Sequence, residues 1–361
     1  MKTKIAFIVI AVATPFVQAQ EVYMGQSKNC MPHGFGVIDY SDGSYYQGNF
    51  IYGIENGTGT FCDAKGIKST GLFKDGEFVQ DIEVAPNTRL MDFRYHLDSN
   101  AKFESMRVDI QFSEKPNKKR NIIIAPFGEF RLNGQLVSVG FMNNTKGYKD
   151  PKHEKKGLYP YEIEHSVFMK TYGERRSQMM MPSPYGFCES GSKDGTNQGE
   201  FVSVSRDFEW KKNQNYTLIL QNAGYKKFKK NIFTVISLDL IIHKKDTIHI
   251  GKLAIPGSEL QLEKEISMIA STHTNRYALS EIPLIEFEIK ELFINEQPIR
   301  FYDAYCSFDY LTPQYALAKL VDEYTSVQVA VGEAFKLISG TFYEDQYQAH
   351  FIYNEVFEEN E

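Results

Sequence analysis

Apolar and polar residues alternate with a period of two along most of the chain beyond Leu90. Met106-Arg-Val-Asp-Ile-Gln-Phe112, Tyr216-Thr-Leu-Ile-Leu220 and Ile285-Glu-Phe-Glu-Ile-Lys290 read as strands with one buried face. Asn121-Ile-Ile-Ile-Ala125 and Phe233 to Ile242 are β-branched runs of the same kind. Asn133-Gly134 and Asn222-Ala223-Gly224 read as tight turns between such runs. Helical periodicity is scarce, and the best helix candidate is Pro313 to Tyr324, with Leu317, Leu320 and Val321 on one side. Strands without interleaved helices predict an all-β chain whose body, residues 81–361, is an antiparallel β-sandwich of jelly-roll-like outline with few helices. Residues 143–199 break the pattern and predict a long loop region, rich in Lys, Gly, Pro and rings. Its Tyr159, Tyr161, Tyr172 and Tyr185, beside Phe187 and Met179-Met180-Met181, form a candidate ligand-binding surface.

The amino end differs. Lys2 and Lys4 precede the apolar run Ile5 to Val12, and Val17-Gln18-Ala19 resembles a small-residue cleavage site. Residues 1–19 therefore read as a signal peptide, which predicts a secreted, periplasmic or cell-surface protein. No later run is long and apolar enough to span a bilayer; the best, Ile232 to Ile242, is broken by Ser237 and Asp239, so no transmembrane segment is expected after cleavage.

Residues 20–80 repeat with a period of 23. Tyr23-x-Gly25 returns as Tyr46-x-Gly48, and the glycine again as Gly71. The same step carries Gly34 and Gly36 to Gly57 and Gly59, Gly43 to Gly66, Gly53 to Gly76, and Phe50 to Phe73. Each unit reads as a β-hairpin; in the middle one Tyr46 to Phe50 is a strand, Ile51 to Gly57 the turn and Thr58 to Phe61 the return. Tyr46, Phe50 and Phe61 are then expected on one face, which a single hairpin cannot bury, so neighbouring units must stack. Ser27 and Cys30 depart from the pattern in the first unit, and the third is a half unit.

Tyr46-x-Gly48-x-Phe50-x-x-Gly53-x-x-x-Gly57-x-Gly59, with His33-Gly34-x-Gly36, resembles the MORN repeat. The resemblance implies an interaction or spacer module, a family to which lipid and protein binding are attributed. It also implies that a small sheet docks on the domain that follows, leaving an unpaired edge near Gly71 to Phe78 for self-association. A second resemblance is to secreted lectin-type β-sandwich domains of the DUF3472-like kind. It rests on Gly199-Glu200, Phe208-Glu-Trp210-Lys-Lys-x-x-x-Tyr216 and Ile250 to Pro256. In that layout Trp210 is a core anchor.

Composition narrows the function. The chain carries 40 Lys+Arg against 46 Asp+Glu, a net charge of −6, which argues against a nucleic-acid partner and against a polybasic membrane-surface protein. With 27 Phe and 22 Tyr it has apolar area enough for a large core. Four cysteines, Cys30, Cys62, Cys188 and Cys306, allow one or two disulfides in an oxidising compartment or else remain buried thiols. No C-x-x-C, P-loop, Rossmann or G-x-S-x-G pattern is present, and no metal or cofactor is expected. His243 and His249 are six apart, and Asp194 to Gly199 lacks the oxygen ligands of an EF-hand. One catalytic pattern remains. Glu286-x-Glu288-x-x-Glu291 has the spacing of retaining jelly-roll glycoside hydrolases, provided a bulge brings the acids onto one face. Against it stand Lys290, where that family wants an apolar residue, and a single tryptophan. The leading expectation is a non-catalytic, envelope-associated binding or scaffolding protein with a carbohydrate or protein partner; the alternative is a carbohydrate-active enzyme, a retaining glycoside hydrolase of jelly-roll type with Glu286 and Glu291 as its acid pair.

Overall fold

The computed structural model describes residues 21–85, 88–113, 121–173, 179–191, 199–242, 246–273, 276–282, 284–301, 304–309, 316–321, 325–332, 341–345 and 348–352. The segment 1–19 that reads as a signal peptide, His243 and Asp194 to Gln198 lie outside them.

The first sheet is a meander of six antiparallel strands in chain order: β1 (Val22–Lys28), β2 (Met31–Asp39), β3 (Tyr45–Ile51), β4 (Ile54–Cys62), β5 (Lys68–Lys74) and β6 (Glu77–Gln80). The 23-residue period is a period of hairpins. Each closes in a two-residue loop with both residues at positive φ: Asn29-Cys30 at 53° and 61°, Tyr52-Gly53 at 50° and 88°, Asp75-Gly76 at 53° and 86°. This is the turn whose twist matches the flanking strands. The turn of the middle unit is thus Tyr52-Gly53 alone, shorter than the expected Ile51 to Gly57, because β4 already pairs with β3 from Ile54. The third unit also forms a hairpin, so β5 is paired on both sides and the sheet edge is β6 rather than Gly71 to Lys74.

The body follows. Its strands are β7 (Glu83–Val84), β8 (Arg89–His96), β9 (Ala101–Lys102), β10 (Ser105–Phe112), β11 (Ile122–Leu132) and β12 (Gln135–Gly147). After the short helix α1 (Pro151–Lys155) come β13 (Tyr161–Tyr172), β14 (Met180–Pro182), β15 (Gly186–Gly191) and β16 (Phe201–Asp207). Next are β17 (Asn215–Phe228), β18 (Asn231–Ile242), β19 (Asp246–Pro256), β20 (Gln261–Thr272) and β21 (Tyr277–Ala278). The last are β22 (Ile285–Ile294), β23 (Gln297–Pro298), β24 (Tyr305–Asp309), β25 (Ala316–Val321), β26 (Ser326–Val331), β27 (Thr341–Asp345) and β28 (Gln348–Ile352). One sheet runs β14-β19-β18-β17-β10-β22-β26-β25, with β23 beside β22. The other runs β15-β16-β13-β12-β11-β20-β8-β24-β28-β27, with β9 beside β20. All pairings are antiparallel.

Alternate residues of both sheets meet in one core, so the body is a β-sandwich. Met106, Val108, Ile110 and Phe112 come from one side and Val137, Val139, Phe141, Val167 and Met169 from the other. Phe112 crosses to Phe141 at 5.1 Å between ring centres. Trp210 is buried against both, stacked on Phe112 at 5.7 Å and edge-on to Phe141 at 5.5 Å, the core anchor its layout implied. The repeat sheet is tied in through its last strands. Leu72 packs against the sandwich core, the Leu279 amide donates to the Ile82 carbonyl at 2.7 Å, and β7 pairs with β21.

Three expectations are corrected. Among the described residues of the segment 143–199 more than half are strand: β12 runs to Gly147, and β13, β14 and β15 lie within it. Ile163, His165, Val167, Met169 and Thr171 do alternate toward the sandwich core, but a histidine and a threonine at those positions, and Phe168 buried on the opposite face against Ala125 and Met142, mask the pattern. Asn222 to Gly224 is a bulge inside β17, where the Gly224 amide bonds Asn222 Oδ1 at 3.0 Å, and the turn comes later at Lys229-Lys230. The proposed helix is a strand over 316–321, since Ala318 and Leu320 meet the core at period two and β26 offers a full ladder. Of the two states left open for the cysteines, Cys30, Cys62 and Cys188 are in the thiol form, Cys30 exposed and the other two buried.

Candidate functional site

Three surfaces carry chemistry. On the repeat sheet, the glycine columns exist so that rings can lie flat on backbone. Gly25 faces Gly36, and Gly48 faces Gly59, which faces Gly71. The Tyr46 ring covers Gly59 and its hydroxyl donates to the Asn49 carbonyl at 3.1 Å; Tyr23 covers Gly36 and donates to the Gln26 carbonyl in the same i to i+3 sense. A ladder of edge-to-face rings follows. Tyr23 meets Phe50 at 5.4 Å, Phe50 meets Tyr46 at 5.1 Å, Tyr46 meets Phe73 at 5.0 Å, and Phe73 meets Phe78 at 5.5 Å. A cavity of about 270 Å³ opens on this face, lined by Tyr40, Tyr46, Phe61, Phe73, Phe78 and Glu55, with Tyr40 donating to the Glu55 carboxylate. Burial holds the Tyr23, Tyr40 and Tyr46 hydroxyls well above the ordinary tyrosine range, and Glu55 raises Tyr40 and Tyr46 further.

The four candidate tyrosines do not form one site. Tyr161 starts β13 and Tyr172 ends it, which separates them by about 35 Å of strand. Tyr172 lies instead against Phe201 at 6.4 Å, with Lys170 over Phe201 at 4.4 Å. Tyr161 (54% exposed) packs on Phe187 at 5.8 Å, and Lys149 sits over Phe187 at 3.6 Å while donating to the Tyr185 carbonyl at 3.3 Å. Tyr185 (71% exposed) has the Arg206 guanidinium at 5.4 Å from its ring centre. Tyr159, two residues before Tyr161, is 95% exposed. The patch therefore combines Tyr161 and Tyr185 with two cations at the β15 edge, and excludes Tyr172. Phe187, Lys149 and Arg206 give this surface its charge and rigidity; Phe187 shares the segment's aromatic signature, whereas nothing local marks Lys149 or Arg206.

The acids of β22 lie outside the core. Asp109 pairs with Glu291 and Ile110 with Ile289, leaving Lys290 as the bulged residue. That bulge turns both Glu288 and Glu291 outward. They line a groove of about 610 Å³ with Asp109, Lys290, Asn215 and Thr217, and Glu286 is not part of its lining. The carboxylates have other engagements: Arg107 reaches Glu291 at 3.4 Å, and Thr217 donates to Asp109 at 2.6 Å. His249 pairs with Asp239 at 2.7 Å between Nδ1 and Oδ1. Among the described residues no three His, Cys, Asp or Glu side chains are placed to hold a metal ion, and no helix is long and apolar enough to cross a membrane.

No protein-family model matches this chain, and no curated protein matches it.

Proposed function

We propose that this is an exported, envelope-associated binding and scaffolding protein, in which a MORN-type repeat sheet is built onto a lectin-type sandwich that holds a carbohydrate. What carries the reading is the pair of exposed rings, Tyr161 braced by Phe187 and Tyr185 beside Arg206, with Lys149 over Phe187. Exposed, immobilised rings suit the apolar faces of sugars, and adjacent cations suit acidic substituents. A glycan array with the mature protein tests it. Tyr161→Ala and Tyr185→Ala should each lower glycan binding at least tenfold, whereas Tyr172→Ala should leave it intact. Absence of any glycan ligand, with a protein captured through the same tyrosines, would move the assignment to a protein partner.

The bulge at Lys290 favours one alternative, a glycoside hydrolase using the groove acids Glu288 and Glu291. Polysaccharide turnover abolished by Glu288→Gln in a folded protein would establish it; no turnover by the parent removes it. Self-association is the third role, through the exposed edge β6 and its Phe78 and Val79.

A further inference from the structure

The β17–β18 hairpin outruns its sheet. The last contact of β17 with the β10 side is the Asn222 amide on the Glu104 carbonyl at 2.8 Å, and on the β19 side the last contact with β18 is the Gly257 amide on the Ile232 carbonyl at 3.0 Å. From Asn222 to Phe228 the strand extends about 20 Å. Its tip carries Lys226, Lys227, Lys229 and Lys230, all exposed, and no acid between residues 223 and 232. Among these lysines stand exposed rings and an aliphatic: Tyr225 (76% exposed), Phe228 and Ile232. Tyr225, Lys227 and Ile232 share one face of the ribbon, Lys226 and Phe228 the other. The nearest acids are at the base, where Glu104 is paired with Lys102 at 2.7 Å and Glu259 adjoins the same lysine.

A protein of net charge −6 thus concentrates four positive charges and three apolar side chains on one projecting tip. Core packing does not account for them, since Tyr225, Phe228 and Ile232 are at least 41% exposed and belong to no buried cluster. A soluble polyanion would use the charges and leave Tyr225, Phe228 and Ile232 without a role. An anionic bilayer uses both: lysines reach the headgroups while rings enter the interface. We infer that the Lys229-Lys230 hairpin tip docks the protein onto an anionic phospholipid surface. The net-charge argument against a polybasic surface protein fails here because it averages over the whole molecule.

Flotation of the mature full-length protein with vesicles of phosphatidylcholine alone, and with an equal mixture of phosphatidylcholine and phosphatidylglycerol, tests the inference. Binding should be confined to the mixed vesicles and weaken with salt. Each Lys→Gln change at 226, 227, 229 or 230 should lower affinity about fivefold, and Phe228→Ser about tenfold. All these side chains are exposed, so the variants should keep the parent circular dichroism spectrum. Failure to float with mixed vesicles at low salt would overturn the inference. So would unchanged flotation of Phe228→Ser together with equal binding to polyphosphate, which would assign the tip to a polyanion. Neither outcome touches the tyrosine patch, which the glycan assay reads separately.

Discussion

Gly59→Ala should cost far more than a glycine-to-alanine change normally does, and only while Tyr46 is present. A Cβ at Gly59 would stand 2.5 Å from Tyr46 Cζ and 2.6 Å from Cε2, so the ring must leave its seat. The ring's two edge-to-face contacts, with Phe50 and Phe73, go with it. At about 0.5–1.5 kcal/mol each these contribute roughly 1–3 kcal/mol, and the forced repacking adds about 1–3 kcal/mol. A destabilisation of about 2–6 kcal/mol follows. In a Tyr46→Ala background, itself about 3–5 kcal/mol below the parent, the obstacle is gone. There the added methyl should be neutral, or stabilising by up to about 0.5 kcal/mol through the restricted unfolded chain. The coupling across the cycle is therefore about 2–6 kcal/mol. Urea denaturation followed by near-ultraviolet circular dichroism measures all four corners. Equal costs of Gly59→Ala in both backgrounds, within about 0.5 kcal/mol, would refute the claim that the glycine columns are seats for rings.

Three further outcomes are expected. Cys30 occupies at φ 61° the turn position that Gly53 and Gly76 fill in the other hairpins, so Cys30→Gly should stabilise by up to about 1 kcal/mol, seen as a higher urea midpoint; a lower midpoint contradicts the strain argument. Asp92, 1% exposed, binds Arg89 at 2.6 Å and Arg94 at 2.9 Å, so Asp92→Asn should cost about 2–3 kcal/mol, below the cost of a fully buried pair because both arginines remain partly solvated; calorimetry showing an unchanged melting temperature would contradict it. Burial raises the Tyr23, Tyr40 and Tyr46 hydroxyls above their ordinary value of 10.0, so the fold favours their neutral form. That stability is intact below pH 10 and falls as pH rises beyond it, because the unfolded chain ionises first; a denaturation midpoint that stays flat with pH above about 10, followed together with tyrosinate absorbance, would count against it.

How much of this was legible follows from which interactions are local. The 23-residue period is a covalent fact, and each glycine in it serves a turn, a ring or, at Gly34 and Gly57, a positive-φ strand position beside Gln26 and Asn49, all within the same or the next hairpin, so sequence spacing alone located Tyr46, Phe50 and Phe73. The sandwich was readable wherever one face of a strand is purely apolar, as in β10. It was unreadable in β13, where His165 meets Trp210, Thr171 is buried and Phe168 is buried on the opposite face against Ala125 and Met142, because burial there is decided by strands distant in sequence. The same reason separates the candidate tyrosines. Tyr161 and Tyr172 are eleven positions apart on one strand, so a segment that reads as one loop distributes them to opposite ends of the sheet edge. Arg206 joins Tyr185 through the pairing of β15 with β16, and Lys149 joins Phe187 and Tyr185 through the bridge between Tyr148 and Cys188, contacts that no local pattern encodes. The bulge at Lys290 was readable for the converse reason. An outward Glu288 and an outward Glu291 cannot coexist on a regular strand with Ile289 and Leu292 both inward, so the sequence of β22 itself demands the extra residue. The lysine-rich tip was equally plain in composition, yet Asn222-Ala223-Gly224 offered an earlier turn. Only the continued pairing of Tyr225 with Thr234 and of Lys227 with Ile232 carries the chain past it and gives the charges a projecting ribbon to stand on.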